Sequence, residues 1–385
     1  GGLVSSVHAF AQSSLGTWFM AFLVVTLAVC ILTYILERSH LKSERRLESL
    51  VSRESSFLFN NLVLLTTCFV ILWGTLFPIL SEYVEGNKVT VGPPFYNRVA
   101  VPIGIFLLLL TGVGPLLPWR AATLRAIRRN FVMPSIAVVV TAIICFAVGV
   151  RPWNDHAFDA GNFYALVALA LAAGVLTAIL SEFWRGAGVI ARQTRRNLFA
   201  ATCQLIRRNT RRYGGYIVHI GVVILIIGLT GAAFNRTEER ELALHDKLRI
   251  GPYTLESIGV AQDSNPNYNS ESARLDVYRN GKKSFQIAPE RRVYLASEQP
   301  QTMAAIHSAP GGDLYVVYEG ANPDTGLPII KAFLNPLVGW IWAGLIFMVF
   351  GTFVALTPSL KPVTATLRIG AVRTMPAEAA LKGGD

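Results

Sequence analysis

Seven apolar runs, near residues 16–36, 57–80, 99–117, 131–150, 162–184, 213–234 and 336–357, constrain this chain more than any other feature. Each is long enough to cross a bilayer as an α-helix, at 1.5 Å rise per residue against a hydrocarbon core of roughly 30 Å. The third run carries Pro102 and Pro115 and can kink. With 52% hydrophobic and 15% charged residues, the expected class is an α-helical polytopic membrane protein of about seven transmembrane helices.

The net charge of +11 is not spread evenly, which argues for topology and against nucleic acid. One set of connections holds Arg38, Lys42, Arg45, Arg46 and Arg53, then Arg120, Arg125, Arg128 and Arg129, then the arginines from Arg185 to Arg212. The tail adds Lys361, Arg368 and Arg373, whereas the opposite short loops have only Lys88, Arg98 and Arg151. The positive-inside rule puts the basic set in the cytoplasm. Read this way, the arginines record orientation and lipid headgroup contact. Trp18, Trp184, Trp340 and Trp342 near the ends of runs read as interfacial belts.

Residues 235–334 differ in texture: short alternating stretches such as ARLDVYRNGKKSFQIA are broken by turn signals. Asn280-Gly281 between two alternating runs is the strongest hairpin signal in the chain. The expectation is a small extracytoplasmic β domain between the last two helices. The organisation is then 1–15 as a juxtamembrane segment outside the cytoplasm, 16–234 as six transmembrane helices, 235–334 as the β domain, 335–357 as the seventh helix and 358–385 as a cytoplasmic tail. Cys30, Cys68, Cys145 and Cys203 form no CxxC, and none lies in the β segment, which argues against a disulfide framework, a zinc site or a thiol relay.

Chemistry is carried by histidine. His219 is the only one within a membrane-spanning run, in the charge-free stretch YGGYIVHIGVVILIIGLTGAAF, and an intramembrane imidazole is costly without a partner. It could ligate haem iron, relay protons or hydrogen-bond a neighbouring helix. Gly214, Gly215, Gly221 and Gly228 give its helix little bulk, which suits either the approach of a macrocycle or close helix packing. His8 lies on an interfacial stretch just before the first run, and His156 is a weaker candidate in the polar loop RPWNDHAFDAGN. His40, His245 and His307 read as solvated. No GxSxG, HExxH, Walker loop or GxGxxG occurs. Glu182, beside Trp184 and Arg185 at an expected helix end, is the only intramembrane carboxylate, so no ion pathway is drawn.

Five stretches, in order, resemble the CcmF family of cytochrome c haem lyase subunits: VSSVHAFA, RESSFLFNNL, VGPPFYNR, YGGYIVHIGVVILIIG and FLNPLVGWIWAGLIFMVFG. The β segment with PERRVY stands where that family has one, and the resemblance spans essentially the whole chain. It implies that His219 is an axial ligand of a membrane haem b and that His8 is an axial ligand of haem delivered by a periplasmic chaperone. The iron is the only metal implied, and no side chain is implied to be catalytic.

The implied reaction adds the two thiols of a CxxCH motif of apocytochrome c across the haem vinyl groups, forming thioethers. Haem b keeps the delivered haem reduced, with quinol as a candidate reductant. Implied partners are the chaperone, apocytochrome c and the other maturation subunits, including those for thioreduction and apocytochrome binding. The location implied is the bacterial inner membrane. The family's tryptophan-rich WWD segment and the second histidine of each pair are not found here. The chain begins Gly-Gly rather than Met, so an N-terminal lyase portion is expected elsewhere. A haem b electron-transfer subunit without lyase activity, a membrane scaffold, and a paralogue dedicated to one cytochrome remain as alternatives.

Overall fold

The computed structural model describes residues 14–40, 49–87, 89–117, 123–154, 157–295, 298 and 300–360. Among these, seven helices are long and apolar enough to cross a membrane. They are α1 (Ser14–Glu37), α2 (Arg53–Glu85), α3 (Pro93–Val113), α4 (Leu124–Ala147), α5 (Ala160–Thr194) and, after a short α6 (Leu198–Arg208), α7 (Thr210–Thr230) and α8 (Val338–Leu356). Between α4 and α5 lies a short antiparallel strand pair, β1 (Trp153–Asn154) and β2 (Ala157–Phe158). The helical class and the seven spans agree with the sequence. α1 is exposed along its apolar length, whereas the others pack in a chain: α2 on α3, α3 and α4 on α5, α5 on α7, and α7 on α8.

Three local differences have physical causes. The run 162–184 is only the first part of a 35-residue helix, so Glu182 is not at a helix end. Its continuation buries Ala187 and Ile190 against Ala201 and Leu205 of α6. α6 itself lies in a stretch read as a basic loop. Its first turn is capped by Asn197, whose side chain accepts from the Ala200 amide at 2.8 Å. The third difference is Pro115, which does not kink α3 but falls in the 3₁₀ turn Gly114–Leu116 that ends it.

α7 and α8 form a tight antiparallel pair along a glycine seam. A Cβ on Gly221 would lie 2.7 Å from the Gly344 carbonyl and from the Met348 amide. Gly214 meets the Ala355 backbone at 2.5 Å, Gly228 meets Ile341, and Gly351 meets the Val218 amide. At one end the seam is tied by the Thr210 hydroxyl, which donates to the Thr357 carbonyl at 2.6 Å. At the other end α7 runs through a 3₁₀ turn into β3 (Arg236–Glu241), and β12 (Pro328–Asn335) leads back into α8. β3 and β12 pair antiparallel, so the helix pair continues without a break into a strand pair.

Between them lie β4 (Lys247–Ile250), β5 (Tyr253–Ser264), β6 (Tyr268–Arg279), β7 (Lys282–Ile287), β8 (Glu290–Tyr294), β9 (Pro300–Met303), β10 (Ala305–His307) and β11 (Asp313–Ala321). One sheet has the order β10-β11-β12-β3; the other has β4-β5-β6-β8-β9, with β7 also on β6. Inward residues alternate along the strands and meet in one core, with Leu255, Leu275 and Val277 facing Leu314, Val316 and Ile330. Asn280 and Gly281 join β6 to β7 with φ of 51° and 81°, the left-handed pair that a two-residue hairpin requires.

Candidate functional site

α2 and α7 both start at the arginine-rich end of the helical region and run the same way, but they do not pack on each other. A cleft of about 390 Å³ lies between them, with Leu110, Thr111, Gly114 and Pro115 as its third wall. From α2 it is lined by Arg53, Ser56, Phe57 and Asn60; from α7 by Arg212, Gly215, Tyr216 and His219. Each set has the spacing i, i+3, i+4, i+7 of one helix face. Arg53 and Arg212 therefore share a level at the mouth, and Asn60 and His219 share one two turns deeper, roughly 10 Å along the axis at 1.5 Å per residue.

The mouth is held by a polar network. Where α3 ends in its 3₁₀ turn, Arg53 adds donors to the terminal carbonyls: Nε donates at 3.2 Å to Gly114, which also accepts the Leu117 amide at 3.3 Å, and Nη2 donates to Pro115 at 2.7 Å. Asn130 Nδ2 donates to the next carbonyl, Leu116, at 3.1 Å, and Arg185 donates to Asn130 Oδ1 at 2.9 Å. Glu182 pairs with Arg212 at 2.7 Å and reaches Arg185 at 4.0 Å. Arg212 also donates from Nε to the Tyr216 hydroxyl at 3.3 Å and lies over the rings of Tyr213 and Tyr216.

Deeper in the cleft, His219 has no such provision. Its Nδ1 is buried without a hydrogen-bond partner among the described residues. An unmet buried donor or acceptor costs about 1–3 kcal/mol, so this ring is poorly accounted for by the protein alone. Gly215, one turn away on the same face, leaves open space: a Cβ there would meet nothing within 4 Å. The other three glycines of this helix are used in the seam with α8. Close packing thus accounts for three of the glycines, and Gly215, on another face of α7, leaves its space open.

His8 and His156 lie outside the described residues. His245 is exposed with Nδ1 3.4 Å from Glu256, and His40 is exposed 3.7 Å from Glu37, both as expected of solvated residues. His307 is instead half-buried, its ring stacked on Phe285 with centroids 3.8 Å apart. No group of three or more His, Cys, Asp or Glu capable of holding a metal ion occurs among the described residues. The residues that sequence reasoning missed are Arg53 and Arg212, read there only as topology. The signal was present: RESSFLFNNL and RRYGGYIVH each place an arginine seven residues before a polar residue in an apolar helix.

Residues 233–335 match the family model described as the CcmF C-terminal beta-sandwich. A cytochrome c-type biogenesis protein, ccl1, of Rhodobacter capsulatus is 28% identical over 359 residues, covering 92% of this chain and 52% of its own length. The cytochrome c-type biogenesis protein CcmF of Haemophilus influenzae is 29% identical over 353 residues, covering 91% and 52%. The chain is thus similar to CcmF-family proteins along most of its length. It spans about half the length of these curated relatives. A solved structure titled cytochrome c heme lyase CcmF shares the fold, with a TM-score of 0.63 at 23% identity over 80% of this chain and 46% of that one. In the cleft the motif RESSFLFNNL acquires a place: it is the wall that faces YGGYIVHIG.

Proposed function

We propose that this chain is the C-terminal part of a membrane cytochrome c haem lyase, with His219 as an axial ligand of a membrane haem b. The observation that carries the reading is the buried, unpartnered Nδ1 of His219 beside the open space at Gly215. Those residues fit the group: an imidazole with an unmet polar atom gains a partner system, and the missing Cβ leaves room for a flat ring beside it. Haem b, when bound, supplies electrons that keep the delivered haem iron reduced, with quinol as the proposed donor. What the chain itself does is hold His219 on a helix fixed by the α8 seam and exclude water with Phe57, Leu110 and Tyr216.

The lyase step joins each cysteine sulfur of CxxCH to a haem vinyl carbon, while the thiol hydrogen goes to the neighbouring vinyl carbon; no electrons are consumed. Such a step needs orientation more than a side-chain nucleophile. His8 is proposed as the axial ligand that presents haem from a periplasmic chaperone, and His156 as a weaker contact to it. Apocytochrome c, the other maturation subunits and an N-terminal lyase portion carrying a WWD segment complete the proposed assembly. The β-sandwich and His8 are placed on the periplasmic side of the inner membrane, in accord with the arginine distribution.

Optical spectroscopy of the purified chain, with and without an N-terminal lyase portion, tests the reading. A Soret band that His219→Ala abolishes is the expected result; full retention of haem b by that variant overturns the ligand assignment. His8→Ala is expected to stop capture of chaperone haem and cytochrome c maturation, and undiminished maturation overturns its role.

A further inference from the structure

Arg53 and Arg212 hold the mouth of the cleft from opposite helices, two turns from His219, and their donors are only partly used. Each guanidinium has five N–H donors. Arg53 commits Nε and Nη2 to carbonyls, and Arg212 commits Nε to Tyr216 and Nη2 to Glu182. The Nη1 of each has no hydrogen-bond partner among the described residues. Three guanidiniums in the network (Arg53, Arg185, Arg212) face one carboxylate, Glu182, which leaves two positive charges at the mouth. Among the described residues no acidic side chain lines the cleft itself.

A ligand that complements this arrangement has two carboxylates on one edge and an apolar body reaching inward. We propose that Arg53 and Arg212 form a carboxylate clamp for the two propionates of the haem held by His219, an inference that rests on the haem b reading above. Guanidinium forks suit carboxylates because parallel N–H groups can donate to both oxygens. The backbone bonds of Arg53 to the end of α3 and the Glu182 bond of Arg212 fix both forks before any ligand arrives. The clamp sets the rotation of the macrocycle about the iron–imidazole axis, with the propionate edge at the arginine-rich end and the apolar edges toward Phe57 and Leu110. Arg53 and Arg212 are positioning residues in this scheme; of the cleft residues, His219 alone would touch the iron.

The test compares haem b with its dimethyl ester, in which both carboxylates are masked, by optical titration of the detergent-solubilised chain. Binding to the His219→Ala chain is subtracted as partition into micelles. The wild-type chain is expected to bind haem about tenfold or more tightly than the ester, the scale of one charge-assisted hydrogen-bonded pair. In Arg53→Gln and Arg212→Gln the preference for haem is expected to shrink to about twofold, with Arg53→Lys restoring part of it. Equal affinity of the wild-type chain for the two ligands overturns the clamp while leaving His219 as a ligand. Binding of haem by His219→Ala as tightly as by the wild type overturns the haem reading, and the clamp with it. The ligand comparison is made on the wild-type chain, so it stands even where loss of the Arg53 cap unfolds the variant.

Discussion

The two faces of α7 are built from the same residue type and do opposite things. Toward α8, Gly214, Gly221 and Gly228 admit another backbone so closely that no Cβ fits. Toward α2, Gly215 admits nothing, and the space beside it runs into a cleft lined by His219. A glycine in a membrane helix therefore says only that bulk is unwanted; the neighbour decides whether that absence is packing or vacancy. Polar provision follows the same division. The seam is tied at its end by Thr210, whereas the cleft has a well-bonded arginine mouth and an unmet nitrogen below it.

The largest effect should come from breaking the seam. Gly221→Leu drives a side chain into the Gly344 carbonyl and the Met348 amide, neither of which can rotate away. Overpacking of this kind costs about 3 kcal/mol. Because β3 and β12 continue α7 and α8, unfolding of the sandwich should follow, seen as a lower melting temperature and a loss of strand signal in circular dichroism. Unchanged stability in Gly221→Leu would mean that the seam does not hold the two regions together.

The comparison is sharpest when one substitution is made on both faces. Gly221→Ala should destabilise by about 1–3 kcal/mol through backbone overlap. Gly215→Ala, six residues away in the same helix, should stabilise by about 0.5–1 kcal/mol, since alanine orders a helix interior at lower entropic cost and its methyl meets open space. The larger Gly215→Leu should fold and yet fail to take up haem, because it fills the room beside His219. Thermal unfolding and a Soret titration on the same samples separate the two effects. A common sign for both alanine variants would erase the distinction between the faces.

Much of this fold was legible because its signals are long or chemically narrow. Twenty apolar residues in a row have few alternatives, and Asn280-Gly281 suits a turn that most residues avoid. α6 was missed for the opposite reason. It is an 11-residue helix among arginines, and its buried face, Ala201 and Leu205, is too short to stand out from a loop. The candidate site was half legible. An imidazole in an apolar run is conspicuous on its own, so His219 stood out. Arg53 and Arg212 did not, because arginine at the end of a span has a sufficient explanation in topology. Only the shared i, i+3, i+4, i+7 faces of α2 and α7, set across one cleft, give them a second role.

The smallest effect belongs to the region farthest in character from the cleft, the β-sandwich, where single ion pairs join neighbouring strands. In the sandwich, Lys283 and then Gln286 donate to the Asp276 carboxylate across β6 and β7 and hold it below its ordinary value of 3.8. A carboxylate depressed in the folded state contributes stability that is fully present above its unfolded value and is lost as pH falls through the folded one. Acid should thus loosen the β6–β7 hairpin below about pH 4, the usual carboxylate range. Tyr318 works at the other limit. Burial first, and the Glu271 carboxylate second, push its hydroxyl up to about 12. Its contribution holds below pH 10 and fades as pH rises toward 12. The α7–α8 seam has no carboxylate at its glycine contacts, so neither limit should move it directly. Hydrogen exchange at pH 3 and pH 7 distinguishes the two: Asp276→Asn should remove the acid response of β6 and β7 amides while those of α7 and α8 exchange as in the wild type. An acid response that survives in Asp276→Asn would assign it to other carboxylates of the sandwich, and one that spreads into the seam would show that the strand pair and the helix pair open together.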